Sequence, residues 1–128
     1  MFRLLKIKNG RINQGEPVKL PANAEKYSIG MALVLEGGAL TPCAPNVKPT
    51  YICCEMRDSE LAYPITAYPV SPDMAFECEV VGDASALNLG DKVALTADAC
   101  GVNAAASGPA TILDLSYIDK GKATVHFQ

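Results

Sequence analysis

Residues 87–128 read LNLGDKVALTADACGVNAAASGPATILDLSYIDKGKATVHFQ, and this stretch decides the fold. A turn at Gly90 and Asp91 leads into a strand that places Val93 and Leu95 on one face, and a second strand is predicted at residues 111–117. After a turn at residues 119–121, the last six residues before Gln128 alternate apolar with polar side chains, which is typical of a half-buried strand. The stretch predicts an antiparallel hairpin in a small β domain, and it contains no catalytic signature.

The composition limits the classes of protein to which the chain can belong. With 128 residues there is room for one domain with its own core, and the net charge of -3 gives no basic surface for nucleic acid or anionic membranes. The longest apolar runs are far shorter than a bilayer span. The charged and apolar residues mixed at residues 1–6 are unlike a secretory signal, so we expect folding in a reducing cytoplasm and no membrane partner.

Five cysteines are present, and an odd number cannot all pair within one chain. They show no Cys-x-x-Cys spacing, and two adjacent ones would point to opposite faces of a strand. We therefore expect free and mostly buried thiols that pack as small apolar side chains rather than a metal or redox site. They are Cys43, Cys53, Cys54, Cys78 and Cys100.

The N-terminal part is predicted as a strand followed by an extended arm. Residues 1–8 can form the strand, with Leu5 and Ile7 facing away from Leu4. Residues 9–26 are rich in Gly, Asn, Gln, Pro and Glu, and Pro17 and Pro21 exclude a regular central strand there. A segment of this length without its own pattern is typical of a functional or disordered loop.

Turn signals divide the middle of the chain into further short strands. The pair Gly37-Gly38 predicts a two-residue hairpin turn after the strand at 29–35, and another strand follows at 51–56. Two prolines place the extended segment 63–70 at a sheet edge or at a bulge. The clearest alternation, at residues 74–80, predicts a strand with its glutamates outward. Residues 57–60 and 97–109 are predicted as loops.

Together these elements predict an all-β fold, a small closed or partly open β-barrel of short antiparallel strands with an extended N-terminal arm. The domain organisation that we expect is an N-terminal strand and arm at residues 1–26, followed by a β-barrel domain at residues 27–128.

Residues able to carry chemistry are few, and none forms a recognisable constellation. His126 is the only histidine; without a second ligand it predicts no zinc site, and we expect it on the solvated polar face of the last strand. A nucleophile–base pair of His126 with one of the cysteines or with Ser107 is possible, but the spacing in the sequence gives no evidence for one. The carboxylates Glu77 and Glu79 are interpreted as guards of a sheet edge rather than as an acid and a base, and Asp58 with Glu60 forms the other acidic pair.

We therefore predict no catalytic, cofactor-binding or metal-ligating residue and no cofactor. The glycine-containing segments lack the pattern of a phosphate loop. Tyr51, Tyr63 and Tyr68 are the aromatics that might stack on bases, but the acidic charge argues against a nucleic-acid partner.

Three segments, YSIGMALVLEGGALT (27–41), PTYICC (49–54) and residues 87–93 with 110–127, are similar to tailed-phage head decoration proteins of the lambda type and to small prophage-encoded capsid proteins. The resemblance implies a non-enzymatic structural module that is often trimeric and that binds and stabilises a capsid shell. Its partners would be further copies of itself and a capsid shell protein. Its location would be the host cytoplasm during assembly and then the virion.

Two other functions remain open at this point. One is a small-molecule or peptide-binding β-barrel, with or without a reactive cysteine, which a lowered thiol pKa would indicate. The other is a module that binds a single nucleic-acid strand, which the acidic composition disfavours. In the decoration interpretation, residues 1–26 would add a strand to a shell or to a neighbouring subunit.

Overall fold

The computed structural model describes residues 1–7, 17–58 and 61–128 of the chain, without the side chains of Lys6 and Ile7. These ranges contain strands and a single 3₁₀ helix, Ile118–Lys120. The strands are β1 (Arg3–Ile7), β2 (Val18–Leu20), β3 (Ala32–Glu36), β4 (Ala39–Pro42), β5 (Tyr51–Cys53), β6 (Ile65–Pro69), β7 (Met74–Val81), β8 (Lys92–Leu95), β9 (Gly101–Asn103), β10 (Ala110–Asp114) and β11 (Lys122–Phe127).

The predicted all-β class with a small barrel is confirmed. One sheet has the order β1-β7-β11-β10-β8-β9, and an added pairing of β7 with β9 closes five of these strands into a barrel. β7 is long enough to hold two neighbours on one side: β1 pairs along its first half and β9 along its second half. The β7–β9 pairing is parallel, whereas the other barrel pairings are antiparallel.

The hairpin predicted at the C-terminus is confirmed as β10 and β11, although its first strand is shorter than the sequence suggests. The strand ends at Asp114, whose Oδ1 accepts bonds from the backbone N–H of Ser116 (3.0 Å) and from its hydroxyl (2.6 Å). Such a side-chain bond competes with the ladder and begins a turn. The 3₁₀ helix follows, and Gly121 (φ 72°) supplies the left-handed conformation that returns the chain into β11.

The second sheet has the order β2-β6-β5-β3-β4. Its β3–β4 hairpin confirms the predicted turn, because Gly37 and Gly38 both have positive φ, 58° and 84°. Residues following β2 reach the far side of the sheet, where Ala22 forms a parallel bridge with Leu40. The edge placement predicted for residues 63–70 is wrong: β6 lies between β2 and β5, with Pro69 as its last residue.

The predicted arm falls partly within the described residues. Its residues 9–16 lie outside them, as does residue 8 of the predicted first strand. Within residues 17–26, Pro17 and Pro21 flank the short strand β2 at the end of its sheet and residues 24–25 form a bend, so the prediction that no central strand forms here is confirmed. The pattern alone does not indicate the short strand itself, and the domain division after residue 26 stays a prediction.

The loop predicted at 97–109 is wrong at its centre, where β9 closes the barrel. Three residues are too few to show an alternation, and parallel pairing with a strand 20 residues earlier leaves no local signal. Gly101 is required at this point, because a Cβ atom there would lie 2.7 Å from the carbonyl oxygen of Glu79.

Both sheets contribute to one continuous hydrophobic core. Inside the barrel, the rings of Phe2, Phe76 and Phe127 contact one another at centroid distances of 5.5–6.4 Å. Backbone hydrogen bonds join the sheets, among them Phe2 N to Gly30 O (2.8 Å) and Ala32 N to Ala99 O (2.8 Å). The barrel interior is therefore filled with side chains, as expected for so few strands.

Candidate functional site

A groove of about 480 Å³ crosses the outer wall of the barrel, and we call it the barrel groove. It lies over four neighbouring strands in the order β1, β7, β11 and β10. Leu5 of β1 and Leu113 of β10 stand on its opposite sides and expose 44% and 40% of their surface. The groove is thus bounded by apolar side chains that are not buried in the core.

Small side chains form the floor of the barrel groove. Ala75 of β7 and Thr124 of β11 both line it and are only 4% and 8% exposed, yet neither belongs to the hydrophobic core. Their strand neighbours, such as Phe76 and Val125, point inward to the core. Because side chains alternate along a strand, Ala75 and Thr124 face outward, and their small size leaves the depression.

Two β-bulges shape the sides of the groove. The register of β1 on β7 shifts between Leu4 and Lys6, and that of β10 on β11 shifts between Ile112 and Asp114. Each bulge re-aims one side chain, which is Leu5 in the first case and Leu113 in the second. Leu4 packs against the core and Leu5 faces the groove, so these two side chains point to opposite faces, as predicted.

His126 lies in the barrel groove. It faces outward from β11, as predicted, and it is half-buried among the groove residues. Asp73, at the turn before β7, and Asp114 contribute carboxylates to the same groove. No cysteine is among the described residues that line it, and Ser107 lies elsewhere, beside Ala104–Ala106 in the β9–β10 loop. The structure therefore brings the only histidine together with carboxylates and not with a nucleophile.

All five cysteines have free thiols, as predicted, and three of them are buried. Burial raises the pKa of Cys43 and of Cys78 to about 12 and that of Cys53 to about 11. Burial also raises the pKa of Cys54 and Cys100, which are only half-buried. A reactive thiol needs the opposite shift, because the thiolate is the nucleophile.

The predicted acidic pairs are held by separate partners. Glu77 Oε1 lies 2.8 Å from Arg3 Nη2 and 3.7 Å from Lys122 Nζ, on the two strands that flank β7. The interpretation of Glu77 and Glu79 as guards of a sheet edge is wrong, because β7 has neighbours on both sides. Of the other pair, Glu60 lies outside the described residues, and Asp58 Oδ1 is 3.8 Å from Lys26 Nζ.

The three tyrosines considered for base stacking do not share a surface. Tyr68 is buried, Tyr51 is half-buried, and Tyr63 is 62% exposed. Tyr68 of β6 lies opposite Ile52, the residue that follows Tyr51 in β5. Because neighbouring residues of a strand point to opposite faces, Tyr51 and Tyr68 are on opposite faces of the sheet. The arrangement offers no row of rings for successive bases.

Sequence reasoning missed the role of Arg57, which it assigned to an exposed loop. Its guanidinium donates to the carbonyl oxygens of Asn23 (2.7 Å), Glu25 (3.1 Å) and Tyr63 (2.5 Å), and it lies 4.7 Å from the ring centre of Tyr27. Tyr27 and Arg57 also form a backbone bridge. We call these contacts the Arg57 clasp. A single arginine among acidic neighbours gives no sequence signal for such a role.

Four exposed apolar side chains occur in the segments of chain near the Arg57 clasp. Met56 is 70% exposed, and Leu61, Tyr63 and Ile29 are 53%, 62% and 51% exposed. They belong to the segments that the clasp connects: Met56 precedes Arg57, Tyr63 accepts a bond from it, and Ile29 follows the bridging Tyr27 by two residues. We call these four side chains the apolar surface. Exposed apolar groups that form one patch are typical of interaction sites.

No protein-family model, no curated protein and no solved structure matches the chain. Within the described ranges, no helix is long and apolar enough to span a membrane. Nor do the described histidine, cysteine and acidic side chains come together in threes as metal ligands do. The surface features that could serve a function are thus the barrel groove and the apolar surface.

Proposed function

We propose that the chain is a non-enzymatic structural protein that associates with copies of itself and with a protein shell, in the manner of a phage capsid decoration protein. The observation that carries this proposal is the apolar surface, four large side chains that are all more than half exposed. A partner that covers such groups gains about 25 cal/mol of binding free energy for each Å² of apolar area removed from water. The resemblance of three segments to head decoration proteins gives the class of partner, a capsid shell protein.

The Arg57 clasp makes the apolar surface suitable for an interface. It fixes the backbone of the segments that carry Ile29, Met56 and Tyr63, so less conformational entropy is lost when a partner binds. Both the homotrimeric state and the capsid shell partner are parts of this proposal. So is its location, the host cytoplasm during assembly and afterwards the virion.

Light scattering on the purified chain tests self-association. We expect a mass of about three times the chain mass of 13.5 kDa. Met56→Glu should shift the protein toward the monomer, because it places a charge in the proposed contact. Leu89→Glu is the matched control, since Leu89 is 65% exposed but lies in the turn before β8. A strict monomer at all concentrations would contradict the trimeric part of the proposal.

The barrel groove favours a second candidate function, a small-molecule or peptide-binding barrel. Its volume of about 480 Å³ falls within the range of about 300–1,000 Å³ that is usual for ligand sites. A reactive cysteine is not part of this candidate, because burial raises the pKa of every thiol. Rapid alkylation of one cysteine in the folded protein would show that a reactive thiol is present after all.

A further inference from the structure

We draw no further inference here: the strongest candidate, the barrel groove between Leu5 and Leu113 on the outer wall of the barrel, belongs to the second candidate function already described, and nothing in the described part of the chain shows what covers its apolar walls.

Discussion

Arg57 is a half-buried side chain whose guanidinium makes several contacts outside the core. Its guanidinium bonds to three backbone carbonyl groups from segments that are far apart in the sequence and stacks on the buried ring of Tyr27. The Tyr27 hydroxyl in turn lies 3.0 Å from Asn23 O and 3.1 Å from Leu40 O. Planar geometry and several fixed donors are needed here, and lysine has neither.

We therefore predict that Arg57→Lys destabilises the protein nearly as much as Arg57→Ala, by about 2 kcal/mol in the free energy of unfolding. Urea denaturation measures this free energy. Arg3→Ala is the matched control, because Arg3 pairs with Glu77 at the surface and its loss should cost about 0.5 kcal/mol. Equal losses for Arg57→Lys and Arg3→Ala would show that the clasp has no special role.

The buried thiols predict a loss of stability in alkali. The thiol pKa values of Cys43, Cys53 and Cys78 in the folded protein are about 11–12, whereas an unfolded thiol ionises near 9. Above pH 9 the unfolded chain therefore releases protons first, so the free energy of unfolding falls as the pH rises toward 11. Each buried thiol contributes about 1.4 kcal/mol per pH unit to this slope. Below pH 9 the thiols contribute no slope.

Denaturant unfolding at a series of pH values checks the slope, and the difference between parent and variant isolates one thiol. Cys78→Ala should give a shallower decline above pH 9 than the parent, and Cys100→Ala, at a half-buried position, should change the decline less. An identical slope in the parent and in Cys78→Ala would mean that the Cys78 thiol ionises in the folded protein as it does in water.

At the scale of residues, the sequence predicts the face of a strand that a side chain occupies, and it does not predict the groove on that face. Three of the five cysteines are buried as free thiols, as their spacing suggests. Leu5 and His126 lie on the faces that their alternation predicts, but the groove between them arises from a bulge in β1 and from small neighbours on the outer wall. Both effects depend on strands that are distant in the sequence.

Among the elements, β9 has only three residues, but its pairing with β7 closes the barrel. We predict that Gly101→Ala costs about 2 kcal/mol of unfolding free energy, since the added methyl group would meet the Glu79 carbonyl oxygen at 2.7 Å. Amide exchange should quicken across β9 in this variant. Gly37→Asn is the control, because no atom lies within 4 Å and asparagine tolerates its φ of 58°. If the two variants are equally stable, β9 does not close the barrel in solution.

Elements with a local signal are predictable, and those that depend on distant pairing are not. Gly37-Gly38 and the alternation in β7 and β11 are sufficient to place a hairpin and two strands. β2 and β9 have three residues each, and each depends on pairing with a strand that is distant in the sequence, β6 for the former and β7 for the latter. The same limit hides the barrel groove, which four strands form together.

At the scale of the whole molecule, two sheets share one core and present two different surfaces. The barrel sheet carries the groove, and the segments that precede β3 and connect β5 to β6 carry the residues of the apolar surface. The sequence predicts the all-β class because strand periodicity is local. It predicts neither surface, since each arises only when the sheets are assembled.

The measurement that tests the proposed function most directly is co-sedimentation of the full chain with an assembled shell of the capsid protein proposed as its partner. We predict that the chain pellets with the shell and saturates at a fixed ratio. Met56→Glu should weaken this binding about tenfold, the loss expected for a central apolar contact, while Leu89→Glu binds like the parent. A chain that stays in the supernatant at every ratio, or a gene without any virion gene near it, would contradict the proposal.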